Sequence, residues 1–114
     1  MRGPTELLAA YVEAHNVGVR SGDFEALAEL LLPTASMRSQ GIDIGPFANA
    51  EAILQGFREH PPDDELVVGA VRTIGERTAE ATYAWASAPS TSAGRLRITA
   101  QRGLVSAIRI EAFG

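Results

Sequence analysis

The sequence predicts an α+β domain, with helices packed on a sheet to form a pocket, and three observations predict it. Helical periodicity fills the first half of the chain, while four β-type runs fill the second with almost no linker between them. The helical half is broken at Ser21-Gly22-Asp23-Phe24 and again from Gly45-Pro46-Phe47 to Ile53. Finally, 114 residues is the size of one domain able to bury about two thirds of its unfolded surface, so a single domain over residues 1–114 with one core is expected.

From Thr5 to about Arg20, Leu7, Leu8, Tyr11, Ala14, His15 and Gly18 share one helical stripe, with Glu6, Glu13, Asn16 and Arg20 outside it. Ser21-Gly22 ends that helix. Asp23 can cap the next through its side-chain oxygen, and Phe24, Leu27, Leu30 and Leu31 carry a buried stripe up to Pro33. Residues 35–40 alternate as an edge strand, and Gly41 to Pro46 reads as a loop able to border a ligand. Asn49 caps a third helix whose Ala50, Ile53, Leu54 and Phe57 share a face, and Pro61-Pro62-Asp63-Asp64 ends it. The runs 66–74, 77–86, 95–101 and 104–111 are β-type, joined by turn-like segments at Gly75-Glu76, 88–94 and Arg102-Gly103, which suits an antiparallel meander.

Composition closes off several chemistries. Hydrophobic residues make up 46% and charged residues 21%, which suits an ordinary globular domain. Cysteine is absent, removing disulfides and thiolate chemistry, and all ten basic residues are arginine, so no lysine can form a Schiff base. The Ala, Gly and Arg richness points to a GC-rich bacterial genome. A net charge of −4 gives no bulk attraction for nucleic acid. No apolar run approaches the roughly 18 residues of a membrane span, and the first residues lack a signal-like apolar stretch. No nucleic-acid or membrane partner is therefore expected, and the expected location is cytoplasmic. The two histidines, His15 and His60, lack short-spaced partners, so no metal is expected. There is no Gly-x-Ser-x-Gly elbow and no phosphate-binding Gly-rich loop.

His15, one turn after Tyr11 on the buried stripe, is the leading acid-base candidate; a neutral imidazole there can donate to a carbonyl or act as a base. The alternative is a buried histidine bonded to its surroundings. Tyr11 and Trp85 are amphipathic residues able to line a cavity and hydrogen-bond a ligand, or simply to pack the core. Tyr83 shares a strand face with Ala81 and Trp85. Arg95 and Arg97 lie on one face of their strand with Thr99, either solvated, interfacial or binding an anion. Asp43, on a loop, is the alternative base.

Taken in order, Tyr11-Val12-Glu13-Ala14-His15-Asn16, Gly22-Asp23-Phe24 with Leu27 and Leu31, Gly45-Pro46-Phe47 leading to Glu51-Ala52-Ile53, and Gly103-Leu104-Val105 resemble the nuclear transport factor 2-like superfamily. The resemblance is to its ketosteroid isomerase and SnoaL-like polyketide cyclase branches and covers nearly the whole chain. It implies a cystatin-like cone, in which a curved mixed or antiparallel sheet wraps around three N-terminal helices and encloses an apolar cavity, often in a homodimer joined through the sheets. Two departures stand out. Asn49 replaces a frequent glycine, and the approximate alignment puts Ser39 near the isomerase's carboxylate base and Arg95 near its oxyanion acid. The resemblance thus leads to a pocket protein for a small, largely apolar molecule, with cofactor-free isomerase- or cyclase-type chemistry. The expected catalytic residues are His15, Tyr11 and Asp43, and the expected ligand-binding residues are Ser39, Phe57, Trp85 and Arg95. The alternative is a non-catalytic homodimeric binding or assembly module with a filled interior.

Overall fold

The computed structural model describes residues 1–113. Helix α1 spans Pro4–Ser21, α2 Glu25–Leu30 and α3 Ala50–Glu59; strand β1 spans Leu31–Gln40, β2 Leu66–Val68, β3 Arg72–Thr73, β4 Thr78–Trp85, β5 Ser92–Gln101 and β6 Leu104–Ala112. The sheet order is β1-β6-β5-β4-β2, with β3 also pairing β4. All pairings are antiparallel except β1 with β6, so the meander is closed at one edge by a parallel strand. The sheet is thus mixed, six-stranded, curved and unclosed.

Local chemistry sets the element ends. Pro4 opens α1 where its missing N–H costs nothing, and Gly22 at φ 78° closes it, donating its N–H to the Gly18 carbonyl at 2.8 Å. The Asp23 carboxylate accepts from the Glu25 N–H at 2.9 Å, although Phe24 occupies the formal cap position of α2. Asn49 accepts from the Ala52 N–H at 2.8 Å and caps α3 as its residue type predicts. Arg102 and Gly103 both have positive φ, the geometry of a two-residue turn that follows the strand twist between β5 and β6.

Two boundaries differ from the sequence expectation. The second helix stops at Leu30, and β1 starts at Leu31 rather than Ala35. Pro33 is tolerated inside this edge strand because its pairing with β6 is interrupted between Leu31 and Ser36, so no ladder bond is lost. The run 66–74 is two short strands, β2 and β3, because Gly69 and Ala70 break it. One strand, β1, therefore precedes the third helix.

The α1 stripe is buried as its spacing requires: Leu7, Leu8, Tyr11, Ala14, His15 and Gly18 all lie inside. It packs on the inner face of the sheet, where Ala79, Ala81, Leu96, Ile98, Val105 and Ile108 are almost fully shielded from water. The outer face carries Glu80, Arg95, Arg97, Thr99 and Arg109. Gly18 is the point of closest approach between α1 and the start of α2, since a Cβ there would overlap the Phe24 ring. Gly18→Ala is expected to destabilise the fold by about 1–3 kcal/mol through overpacking. Gly3→Ala, where a Cβ meets nothing within 4 Å, is expected to stay within about 0.5 kcal/mol of the parent. Thermal denaturation of the two variants checks this.

Candidate functional site

Between α1, α3, the loop 41–47 and the inner sheet face lies a cavity of about 410 Å³, within the range of small-molecule sites. The interior is therefore not filled by side chains. Its walls are chiefly apolar, from Met37, Phe47, Leu66, Leu96 and Ile110. Three aromatic groups and one histidine cluster on its wall. Tyr83 and Trp85 lie edge to face at 5.8 Å, and the His15 ring stands 6.2 Å from Phe57 and 6.5 Å from Trp85. Tyr11 and His15, four residues apart on α1, project into this space together.

The orientation of His15 follows from its neighbour. The Asn16 side chain brackets the backbone of Leu66: its Nδ2 donates to the Leu66 carbonyl at 2.9 Å, and its Oδ1 accepts from the Leu66 N–H at 2.7 Å. Exchanging the amide ends would set N–H against N–H and oxygen against oxygen, so the backbone fixes which atom is which. The same Oδ1 lies 3.0 Å from His15 Nδ1, which must therefore carry the hydrogen and donate it. In the neutral ring this leaves the lone pair on Nε2. Among the described residues no fully buried side-chain nitrogen or oxygen lacks a partner. Nε2 and the Tyr11 hydroxyl, which bond no protein group, are accordingly reached from the cavity.

Burial sets the protonation of both groups. Removal from water lowers the His15 pKa below its ordinary 6.5, against a smaller upward pull from the Asn16 bond and the Glu65 and Asp64 carboxylates. The ring is neutral at pH 7. Burial raises the Tyr11 pKa well above the usual tyrosine range, with the neighbouring Tyr83 adding to it, and burial alone raises Tyr83. Both phenols stay protonated and can donate. The cluster thus offers one base and a hydroxyl donor in a water-poor setting, the combination that proton transfer beside a carbonyl requires.

The remaining candidates divide. Phe57 and Trp85 line the cavity, as does Asp43, which is exposed to solvent. Ser39 and Arg95 lie outside it. The Ser39 hydroxyl turns to the carbonyls of Ile42 and Ile44, so it braces the loop whose Ile42 and Ile44 line the cavity instead of meeting a ligand. Arg95 points from the opposite sheet face toward Glu80, Glu111 and the Phe113 ring, because alternation along β5 gives the inner positions to Leu96 and Ile98. Asn16, placed outside the buried stripe by its spacing, is the site residue that periodicity missed. A weak helix former in mid-helix next to a histidine was the available signal.

No protein-family model matches the chain, and no curated protein sequence does. Solved structures do match. A protein from Kribbella flavida provisionally named a ketosteroid isomerase superposes with a TM-score of 0.72 at 16% identity, over 96% of this chain and 77% of that one. A nuclear transport factor 2-like protein of unknown function from Cytophaga hutchinsonii gives 0.72 at 12% identity, over 99% and 93%. A protein from Sinorhizobium meliloti provisionally named a polyketide cyclase gives 0.65 at 18% identity, over 92% and 93%. The fold is nuclear transport factor 2-like, as the sequence resemblance implied. No helix is long and apolar enough to cross a membrane among the described residues.

Because the His15 pKa is lowered on folding, the unfolded chain binds the proton more readily, and stability must fall as pH drops below about 6.5. The carboxylates whose pKa is also lowered, Asp64 and Glu80, act in the same direction only below their own ordinary values of 3.8 and 4.5. Denaturant midpoints measured between pH 7.5 and 5 should therefore decline in the parent and decline less in His15→Gln.

Proposed function

We propose that this chain, built on the nuclear transport factor 2-like fold, binds a small, largely apolar molecule bearing a carbonyl and moves a proton on it without a cofactor. The observation that carries this reading is the neutral His15, held by Asn16 with its Nε2 lone pair open to an apolar cavity. In the proposed step, Nε2 takes a proton from the carbon beside the carbonyl. The electron pair moves onto the carbonyl oxygen, where the Tyr11 hydroxyl donates a hydrogen bond to the developing charge. In a β,γ-unsaturated ketone the charge spreads over a dienolate, and return of the same proton from Nε2 to the γ carbon as the double bond shifts completes an isomerisation; in the cyclase variant the enolate carbon attacks a second carbonyl of the same molecule and the Nε2 proton passes to the alkoxide so formed. Electrons and protons balance within the substrate, so the step needs no redox partner. Asp43, exposed along the cavity lining, takes no part in the proposed step.

The names carried by the Kribbella and Sinorhizobium proteins support the reaction class without supplying a substrate. The chemistry here would run with an imidazole base in place of a carboxylate. Trp85 and Phe57 flank His15 and favour a flat, ring-containing ligand.

Deuterium incorporation from D₂O into cyclic ketones and enones, followed by NMR, tests the proposal. The parent protein is expected to accelerate exchange, His15→Ala to lose about 10²–10⁴ of that acceleration, and Tyr11→Phe about 10²–10³. Equal exchange by the parent and His15→Ala would refute the assignment.

A further inference from the structure

The sheet register lines up charges on the outer face, on the opposite side from the cavity. Arg38 on β1 pairs with Arg109 on β6, Arg109 with Arg97 on β5, Arg97 with Glu80 on β4, and Glu80 with Arg72 on β3. One row across five strands thus carries four arginines and one glutamate, and Arg95 and Glu111 occupy the next row. Five arginines against two glutamates leave this face at +3 in a chain whose net charge is −4.

The two glutamates reach every arginine of the row except Arg38. Glu80, only 4% exposed, takes Arg72 at 2.9 Å, Arg97 Nε at 2.8 Å and Arg95 at 3.3 Å, and the hydrogen bonds from Arg72 and Arg97 hold its carboxyl below the usual range. Glu111 lies between Arg95 at 3.6 Å and Arg109 at 3.5 Å. Arg38 has no ion-pair partner among the described residues. Arg38, Arg109 and Arg97 are direct cross-strand neighbours of like charge, and of the three Arg38 has no carboxylate to offset the repulsion. They surround a concavity of about 420 Å³ into which Ser36, Thr78 and Thr99 also face. Guanidinium forks and hydroxyl donors around one hollow match the oxygens of a tetrahedral dianion.

We propose that this hollow is a phosphate-binding site, formed by Arg38, Arg97 and Arg109 with the Ser36 hydroxyl and the one proton left free by the Thr78 and Thr99 hydroxyls, which bond each other at 3.2 Å. Arg97 is anchored through Nε to Glu80, which pre-sets its planar group, Arg109 shares Glu111 with Arg95, and Arg38 supplies the unmatched charge. A phosphate group would relieve the repulsion at Arg38. The site is independent of the cavity chemistry and stands if that reading fails.

The test is titration calorimetry and thermal shift with inorganic phosphate, compared with sodium chloride at matched ionic strength. Saturable binding and stabilisation by phosphate beyond that of chloride are expected. Arg38→Ala and Arg109→Ala should each weaken phosphate about tenfold or more, while Arg58→Ala, on α3, should leave it unchanged. Arg38→Ala should melt no lower than the parent in chloride, since removing it lightens like-charge repulsion, so lost binding cannot be blamed on misfolding. A second arm uses phosphatidylcholine vesicles doped with phosphatidic acid. Arg38-dependent sedimentation with the vesicles alone would assign the phosphate to a lipid headgroup, and a response to free phosphate would assign it to a soluble molecule. No Arg38-dependent response in either arm would overturn the proposal.

Discussion

The bracket between the Asn16 side chain and the Leu66 backbone is the constraint on which the site depends. Two hydrogen bonds, at 2.7 and 2.9 Å, join the middle of α1 to the first residue of β2 across 50 residues of sequence. Leu66 lies at the sheet edge, where nothing but β4 pairs with β2, so a side chain completes what a further strand would otherwise provide. One oxygen does double duty. Because Oδ1 must accept from the Leu66 N–H, it also accepts from His15, and a fold-level joint thereby determines the chemical state of the ring lying over the cavity.

That state is meaningful only because of what surrounds it. An imidazole in water at neutral pH exchanges its proton between both nitrogens and titrates near 6.5. Here Phe57, Trp85 and the apolar walls remove water and lower the pKa, and Asn16 removes the choice of tautomer. The same burial acts in the opposite direction on the phenols, raising Tyr11 and Tyr83, so one physical cause yields a base and two persistent donors on the cavity wall. Ser39 contributes at a distance by bracing the loop at the cavity wall.

Much of this was legible in the sequence. The α1 stripe, the breaks at Gly22 and Gly45, the Asn49 cap and the β-type runs fix the fold, because period and turn chemistry are local properties. Tyr11, His15, Phe57 and Trp85 could be placed at the cavity for the same reason. What could not be read was long-range. The parallel pairing of β1 with β6 joins segments some 70 residues apart and is what allows Pro33 into a strand. The Asn16 contact depends on where Leu66 arrives, which no periodicity of α1 encodes. Arg95 and Ser39 went astray on side-chain direction, since a strand's inward face is decided by register and a loop's by its own hydrogen bonds. The charge row on the outer face was visible only as isolated arginines until the register joined them.

The cavity chemistry rests on Asn16 holding His15 as the neutral Nδ1–H tautomer with a free Nε2. The most direct measurement is the ring nitrogen shifts of His15 by long-range ¹H–¹⁵N correlation, at pH 7 in the parent and in Asn16→Ala. A protonated Nδ1 and a bare Nε2 are expected in the parent, with loss of that single-tautomer pattern in Asn16→Ala. A protonated Nε2, or an imidazolium at pH 7, would contradict it.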